Sequence, residues 1–250
     1  MKILCCLKHA PDSTARISIA ESGKDIQREG IDFNPSPFDE YGIEAAMQIK
    51  DANKDGTEVL ILCLGPETAQ HSIRKALAMG ADRAIHLKVE HPIDSHATAR
   101  ALSDAIKDES PDIILFGHQA IDTNAGQVPA YVSHTLQLPL TTVVTQLEVS
   151  DNTVICYRQI EGANEVVKST LPAAFSCSKG SKEPRFPSLP GIMKAKKKPL
   201  DSIEVNPIEN KLILESTYLP PKREAGAFIG EGVEAVDELI NRLRNEAKVI

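Results

Sequence analysis

The sequence predicts an α/β fold built on a parallel sheet that is covered on both faces. Three observations carry this reading. Short apolar runs alternate with segments of helical periodicity along the first half of the chain. The runs Lys2–Leu7, Glu58–Leu64 and Asp112–Phe116 are nearly continuous in apolar character, as strands buried on both faces require. The second and third runs meet Gly directly, and the first is followed within four residues by Pro11-Asp12, which open a loop.

The elements follow in order. Lys2–Leu7 is a buried strand that stops at Lys8-His9-Ala10-Pro11-Asp12, where Pro and Asp open a loop. Residues 17–33, with Gly23 and Gly30, suit a hairpin or an extended excursion better than a helix. A helix opens at Ser36-Pro37-Phe38-Asp39-Glu40: Ser36 suits the N-cap, Pro37 the first helical position, and Asp39 and Glu40 the positive end of the helix dipole. Ile43, Ala46, Met47 and Ile49 continue it with helical spacing. A strand over Glu58–Leu64 ends in Gly65-Pro66, a helix over Thr68–Met79 closes at Gly80, and Ala84–Leu87 is a third short strand. A helix over Ser95–Lys107, a strand over Asp112–Phe116 ending in Gly117, and a helix over Gln127–Leu136 come next. Pro139–Val149, Thr153–Ile160 and Val166–Ser176 read as three further strands.

The pattern changes near residue 178. Pro184, Pro187, Pro190 and Pro199, with the basic run Lys194-Ala195-Lys196-Lys197-Lys198, make Ser181–Leu200 an extended arm or linker. After Pro220-Pro221 the tail ends in an amphipathic helix over Gly232–Ala247, with Val236, Leu239, Ile240 and Leu243 on one face. The expected division is an α/β domain over 1–180 and an arm with a terminal helix over 181–250.

Composition narrows the function classes. A chain of 250 residues with 42% hydrophobic residues can bury a sizeable core. The formal charge, 28 − 35 = −7, and an aromatic content of 4% without Trp argue against a nucleic-acid partner. No apolar stretch is long enough to span a bilayer, and Met1-Lys2 leads directly into a strand rather than a signal-peptide core. No membrane insertion and a cytoplasmic location are therefore expected. Cys5, Cys6, Cys63, Cys156 and Cys177 are odd in number, mostly lie in apolar runs and form no CxxC pair, which reads as buried, reduced thiols.

In an open parallel sheet, ligands bind beyond the C-terminal ends of the strands. Cys6-Leu7-Lys8, Leu64-Gly65-Pro66 and Gly117-His118-Gln119-Ala120-Ile121-Asp122-Thr123-Asn124-Ala125-Gly126-Gln127-Val128 all arrive there. The third is a long polar loop that runs into a helix start, where free N–H groups bind phosphate and Gly permits close approach. Thr123, Asn124 and Gln127 can add side-chain donors. No GxGxxG or GxxxxGK[ST] fingerprint is present, and an ordinary polar loop competes with the phosphate reading. His9, His71, His86, His91, His96, His118 and His134 are scattered without ligand spacing, so no metal site is expected. Cys63 fits a buried strand residue better than a nucleophile. Lys194–Lys198 suits a solvated charge run as well as a contact to an acidic partner. The chain shows no catalytic acid, base or nucleophile.

Several segments together resemble one known family. They are Lys8 and Asp12, Ser36-Pro37-Phe38-Asp39-Glu40, Gly65-Pro66, the run from Arg74-Lys75-Ala76-Leu77-Ala78-Met79-Gly80 to Ala84, Gly117-His118-Gln119-Ala120-Ile121-Asp122, and Glu183-Pro184-Arg185-Phe186-Pro187-Ser188-Leu189-Pro190-Gly191-Ile192-Met193 with its basic continuation. In this order and spacing, across nearly the whole chain, they resemble the β subunits of electron-transfer flavoproteins. The resemblance implies a Rossmann-like domain of the adenine nucleotide alpha hydrolase-like type with an extended C-terminal arm. It implies a heterodimer with an α subunit that carries the redox FAD, and AMP in this chain. It also implies electron transfer from acyl-CoA or other dehydrogenases to a quinone oxidoreductase or another acceptor, in the cytoplasm or, for a eukaryotic source, the mitochondrial matrix.

By position, the resemblance places the nucleotide against Cys6, Lys8, Ser36, Phe38, Asp39, Leu64, Gly117, Gln119, Ala120, Ile121, Asp122, Thr123, Asn124, Gly126, Gln127 and Val128, with Phe38 also near the partner's flavin. It makes Leu189, with Ile192 and Met193, the anchor of a loop that docks into a partner dehydrogenase. Two segments depart from the family pattern. Arg158-Gln159-Ile160-Glu161-Gly162-Ala163-Asn164-Glu165 stands where the family reads Arg-Glu-x-Asp-Gly-Gly-x-Glu. Gly126-Gln127-Val128-Pro129 stands where AMP-holding members read Asn-Gln-Thr-Gly, and only Gln127-Val128 is shared with the Asp-Thr-Ala-Gln-Val of electron-bifurcating members. The alternatives are thus a bifurcating subunit with its own FAD that oxidises NADH, and a stand-alone adenine-nucleotide-binding module.

Overall fold

The computed structural model describes residues 1–53, 56–90, 93–180, 182–206, 208–222 and 225–250. His91 and the expected domain boundary at Ser181 lie outside the described residues. β1 (Lys2–Leu7) leads into a short antiparallel pair, β2 (His9–Pro11) and β3 (Phe33–Pro35), and then into α1 (Pro37–Ala52). β4 (Glu58–Gly65), α2 (Gln70–Met79), β5 (Arg83–Lys88), α3 (Ser95–Glu109), β6 (Ile113–Gly117) and α4 (Val128–Leu136) continue the alternation. β7 (Leu140–Ser150), β8 (Thr153–Ile160), β9 (Ala163–Thr170) and β10 (Ala173–Cys177) follow. The chain then forms α5 (Leu189–Ala195), β11 (Leu200–Glu204) and α6 (Val236–Asn245).

Among the described residues, one sheet runs in the order β11-β5-β4-β1-β6-β10-β7-β8-β9. Its strands are parallel from β11 to β7, and β8 and β9 extend it antiparallel. The expected α/β fold with a large, mostly parallel sheet is therefore present. β1, β4, β6 and β10 hold their apolar residues away from water on both faces, which is why their sequences do not alternate. Each fully buried Leu or Ile side chain contributes about 2 kcal/mol. Ile43, Met47, Ile73 and Leu77 bring α1 and α2 onto one face, while Leu102, Ile106 and Val132 bring α3 and α4 onto the other.

Four local readings need correction. The strand expected over Val166–Ser176 is two strands, β9 and β10, separated at Leu171-Pro172; β9 pairs with β8, whereas β10 sits between β6 and β7. Pro lacks the N–H that an interior strand would donate, so the run cannot pass through it unbroken. Residues 189–204 are not an extended arm: α5 packs on α2, and β11 pairs with β5 in parallel. The arm is held by side chains far away in sequence. Arg74 donates to the carbonyls of Ala195 and Lys198 at 2.6 and 2.9 Å, and Lys198 donates to those of Leu77 and Ala81 at 2.9 and 2.5 Å. Lys198 thus leaves the solvated basic run to close the end of α2. Finally, Ser36 stands at the N-cap of α1, but its hydroxyl caps nothing.

The terminal helix forms as expected, in shorter form, and its apolar face stays open: Val236, Leu239 and Ile240 are exposed.

Candidate nucleotide site

The chain leaves β1 through α1 on one face of the sheet and leaves β6 through α4 on the other. β1 and β6 are neighbours, so the connections after them part at this point and open a crevice at their C-terminal ends. Lys8 follows β1 and the loop from Gly117 to Val128 follows β6. Leu64, half-buried, lies at the end of the adjacent β4, and Ser36, Phe38 and Asp39 come from the start of α1.

Asp39 ties these parts together. Its Oδ2 accepts the Lys8 backbone N–H at 2.7 Å and its Oδ1 accepts the Gly117 N–H at 2.9 Å. The expected role at the helix dipole is thus secondary, because the side chain turns inward and is buried. Burial pushes the Asp39 carboxyl up to about 7, against the pull of the two backbone hydrogen bonds and the Lys8 cation. Gly117 packs so tightly here that a Cβ would lie 2.3 Å from Asp39 Oδ1, which only Gly avoids.

The Lys8 ammonium reaches across the crevice to Asp122, 2.7 Å from Oδ2 and 2.8 Å from Oδ1. Ser36 joins the same corner by donating its N–H to the Lys8 carbonyl at 3.0 Å, while its fully buried Oγ has no partner among the described residues. The β6 loop is shaped from within. Asn124 donates its N–H to the Ala120 carbonyl at 2.8 Å, and the Gln119 amide reaches Asn124 Oδ1 at 3.2 Å. Asn124 and Gly126 take left-handed backbone angles, φ 50° and 59°. The N–H groups of Ala125, Gly126, Gln127 and Val128 have no acceptor among the described residues. Ile121 is half-buried, and Thr123 is exposed.

Cys6 is buried within the sheet, paired in register with Leu62. Burial raises its thiol well above the ordinary range, so it offers no thiolate. Cys63 is buried and raised for the same reason. His118, part of the expected loop but not singled out for its side chain, meets the Phe38 ring edge-on at a centroid distance of 5.9 Å, while the His118 backbone N–H donates to the Cys177 carbonyl at 2.7 Å. Leu189, Ile192 and Met193 lie apart from this cluster on α5, all exposed, next to Phe186, the most exposed of them at 95%. Arg158 of the departing segment pairs with Glu165 at 3.1 Å across β8 and β9.

These groups fit an anion such as a phosphate. Unpaired amides at a loop-to-helix junction, a lysine cation, and glycines where a side chain would obstruct the backbone are the donor set that an anion requires. Among the described residues, no three His, Cys, Asp or Glu side chains converge to hold a metal, and no helix is long and apolar enough to cross a membrane.

Comparison with known proteins agrees with the fold and with the sequence resemblance. A family model described as the electron transfer flavoprotein domain matches residues 24–208. The chain is 40% identical to electron transfer flavoprotein subunit beta of Bacillus subtilis over the full length of both proteins. It is 38% identical to the subunit of the same name from Syntrophomonas wolfei, over all of this chain and 98% of that one. It is 34% identical to the caffeyl-CoA reductase-Etf complex subunit CarD of Acetobacterium woodii, over 98% and 99% of the two chains. The chain belongs to the electron transfer flavoprotein family, as one of its β subunits.

Proposed function

We propose that this chain holds an AMP molecule in the crevice between β1 and β6, and pairs with an α subunit that carries the redox-active FAD. The observation that carries the AMP reading is the run of unpaired N–H groups over Ala125–Val128, in the same loop whose Asp122 is paired with Lys8. The phosphate accepts from these amides and draws Lys8 away from Asp122. Asp39 keeps the two loops at fixed separation, and Phe38 and His118 form an aromatic wall toward the flavin. FAD supplies the one- and two-electron chemistry of the heterodimer, and this chain supplies position. Leu189, Ile192 and Met193 form the apolar contact for an acyl-CoA or other dehydrogenase, the electrons pass on to a quinone oxidoreductase or another acceptor, and the assembly works in the cytoplasm or the mitochondrial matrix.

A second reading is favoured by Gln127-Val128 and by the likeness to a subunit of a caffeyl-CoA reductase-Etf complex. In it, the crevice holds a second FAD and the assembly bifurcates electrons from NADH. Denaturing the purified heterodimer and quantifying the released nucleotides decides between them. One FAD and one AMP per heterodimer is the expected result. Two FAD and no AMP overturns it in favour of the second reading.

A further inference from the structure

The segment that displays Leu189 is mounted at both ends. Its far end is fixed to α2 through Arg74 and Lys198. Its near end is fixed to α1 through Glu44, a carboxylate only 5% exposed in the middle of that helix. Glu44 Oε2 accepts both the Arg185 backbone N–H at 3.1 Å and its Nε–H at 2.8 Å, and Oε1 accepts an Nη2–H at 3.1 Å. Asp51, two turns further along α1, takes the Arg185 Nη2 at 2.9 Å, and the Tyr41 hydroxyl reaches Glu183 at 2.6 Å. Burial alone would raise the Glu44 carboxyl, but the hydrogen bonds from Arg185 outweigh it and hold it below the ordinary range. Between the two mounts, Ser188 caps α5 by accepting the Gly191 N–H, and Gly191 lies so close to the Ala78 carbonyl that a Cβ would sit 2.7 Å from it. Phe186, Leu189 and Met193 are left exposed on a segment whose backbone is otherwise held.

A buried acid on a helix interior is costly unless it is paired, and a two-oxygen grip on both the backbone and the side chain of one Arg fixes that residue's position and orientation. We propose that Glu44 is a positioning residue for partner docking. By gripping Arg185, it holds the Phe186–Met193 segment ordered before the dehydrogenase arrives, so that docking pays little ordering entropy. This rests on the proposed docking role of Leu189. The grip itself is testable without any partner.

The test uses the full heterodimer and the variants Glu44→Gln, Arg185→Lys and Leu189→Ala. Amide exchange at Arg185, Gly191 and Ile192 is read in the heterodimer alone. Steady-state reduction by an acyl-CoA dehydrogenase supplies KM for the heterodimer and kcat. Glu44→Gln and Arg185→Lys are expected to accelerate exchange at these three amides at least tenfold and to raise KM about fivefold or more. Flavin content, kcat and exchange in β1, β4 and β6 should remain unchanged. Unchanged exchange at Arg185, Gly191 and Ile192 in both variants overturns the proposal. So does acceleration spread over the whole sheet, which marks Glu44 as part of global stability only. If exchange accelerates locally but KM stays the same while Leu189→Ala raises it, order in the segment does not serve docking, and the proposal again fails. If Leu189→Ala leaves KM unchanged, the docking reading fails by itself, and the proposal falls with it.

Discussion

Asp39 in the first turn of α1 accepts the backbone N–H of Gly117 at the end of β6 at 2.9 Å, and the missing Cβ of Gly117 is what gives the carboxylate room. The same carboxylate holds Lys8, so one buried side chain sets the spacing of two strand ends on either side of the crevice.

That relationship makes Gly117 intolerant of any side chain. Gly117→Ala is expected to destabilise the chain by about 2 kcal/mol or more, since a methyl group at 2.3 Å forces Asp39 or the strand end to move. Thermal unfolding measures the loss. Titration of AMP into the nucleotide-stripped heterodimer should show weaker binding, because the β6 loop is displaced with Gly117.

Asp39 also gives stability a pH dependence. Its folded pKa of about 7 lies above the ordinary 3.8. A raised folded pKa means that the folded state binds the proton more tightly, so the contribution is full below about pH 3.8 and is lost as pH rises through about 7. Asp39→Asn cannot titrate. Unfolding midpoints at pH 4.5 and pH 8 should therefore show wild type gaining on the variant at the lower pH. A gap independent of pH would mean that Asp39 ionises at its ordinary value.

Glu109 acts with the opposite sign. Hydrogen bonds from Arg83 at 2.6 and 3.0 Å, joined by Lys2 at 3.0 Å, outweigh partial burial and depress its carboxyl to about 2. Its contribution is present above about pH 4.5 and is lost as pH falls through about 2. Glu109→Gln is expected to cost about 2 kcal/mol near pH 7 and little near pH 2. Denaturant titration across that window reads the difference.

Lys8 separates binding from stability. Its exposed ion pair with Asp122 is worth less than about 1 kcal/mol to folding. A charge-assisted contact to phosphate is worth about 1.5–3 kcal/mol, so Lys8→Ala should weaken AMP binding about 10- to 100-fold with the unfolding midpoint nearly unchanged. Calorimetric titration and thermal unfolding on one preparation check both halves.

Lys198 should behave as a structural latch. Lys198→Ala removes the ammonium that bonds the Leu77 and Ala81 carbonyls, of which the Leu77 carbonyl keeps only the longer bond from the Gly80 N–H at 3.3 Å, a loss of about 1–3 kcal/mol. Trypsin should then cut faster at Lys194, Lys196 and Lys197 as α5 and β11 loosen, and the unfolding midpoint should fall by several degrees.

The sequence by itself determined the buried strands of the first half and the strand ends at which the crevice opens. A strand buried on both faces must be apolar throughout, a local property visible in Lys2–Leu7, Glu58–Leu64 and the run before Gly117, and Gly65 and Gly117 mark two of the ends. The loop after Gly117 was legible as a candidate anion site, because a polar Gly-containing loop entering a helix can leave its N–H groups free, but only the structure showed that those of Ala125–Val128 have no acceptor among the described residues. Only the tertiary structure decided the rest. Asp39 looked like a dipole partner, since nothing near it in sequence says that Gly117 will come within hydrogen-bonding distance. Ser36 had the right chemistry for a cap, yet its hydroxyl is buried and makes no cap hydrogen bond. Prolines and lysines made 181–200 look like a solvated arm, but Arg74, Glu44 and Lys198 fold much of it back onto α1 and α2. Where a side chain finds a partner more than a hundred residues away, periodicity and propensity are silent, because both describe a chain's neighbours along the sequence and burial is settled by its neighbours in space.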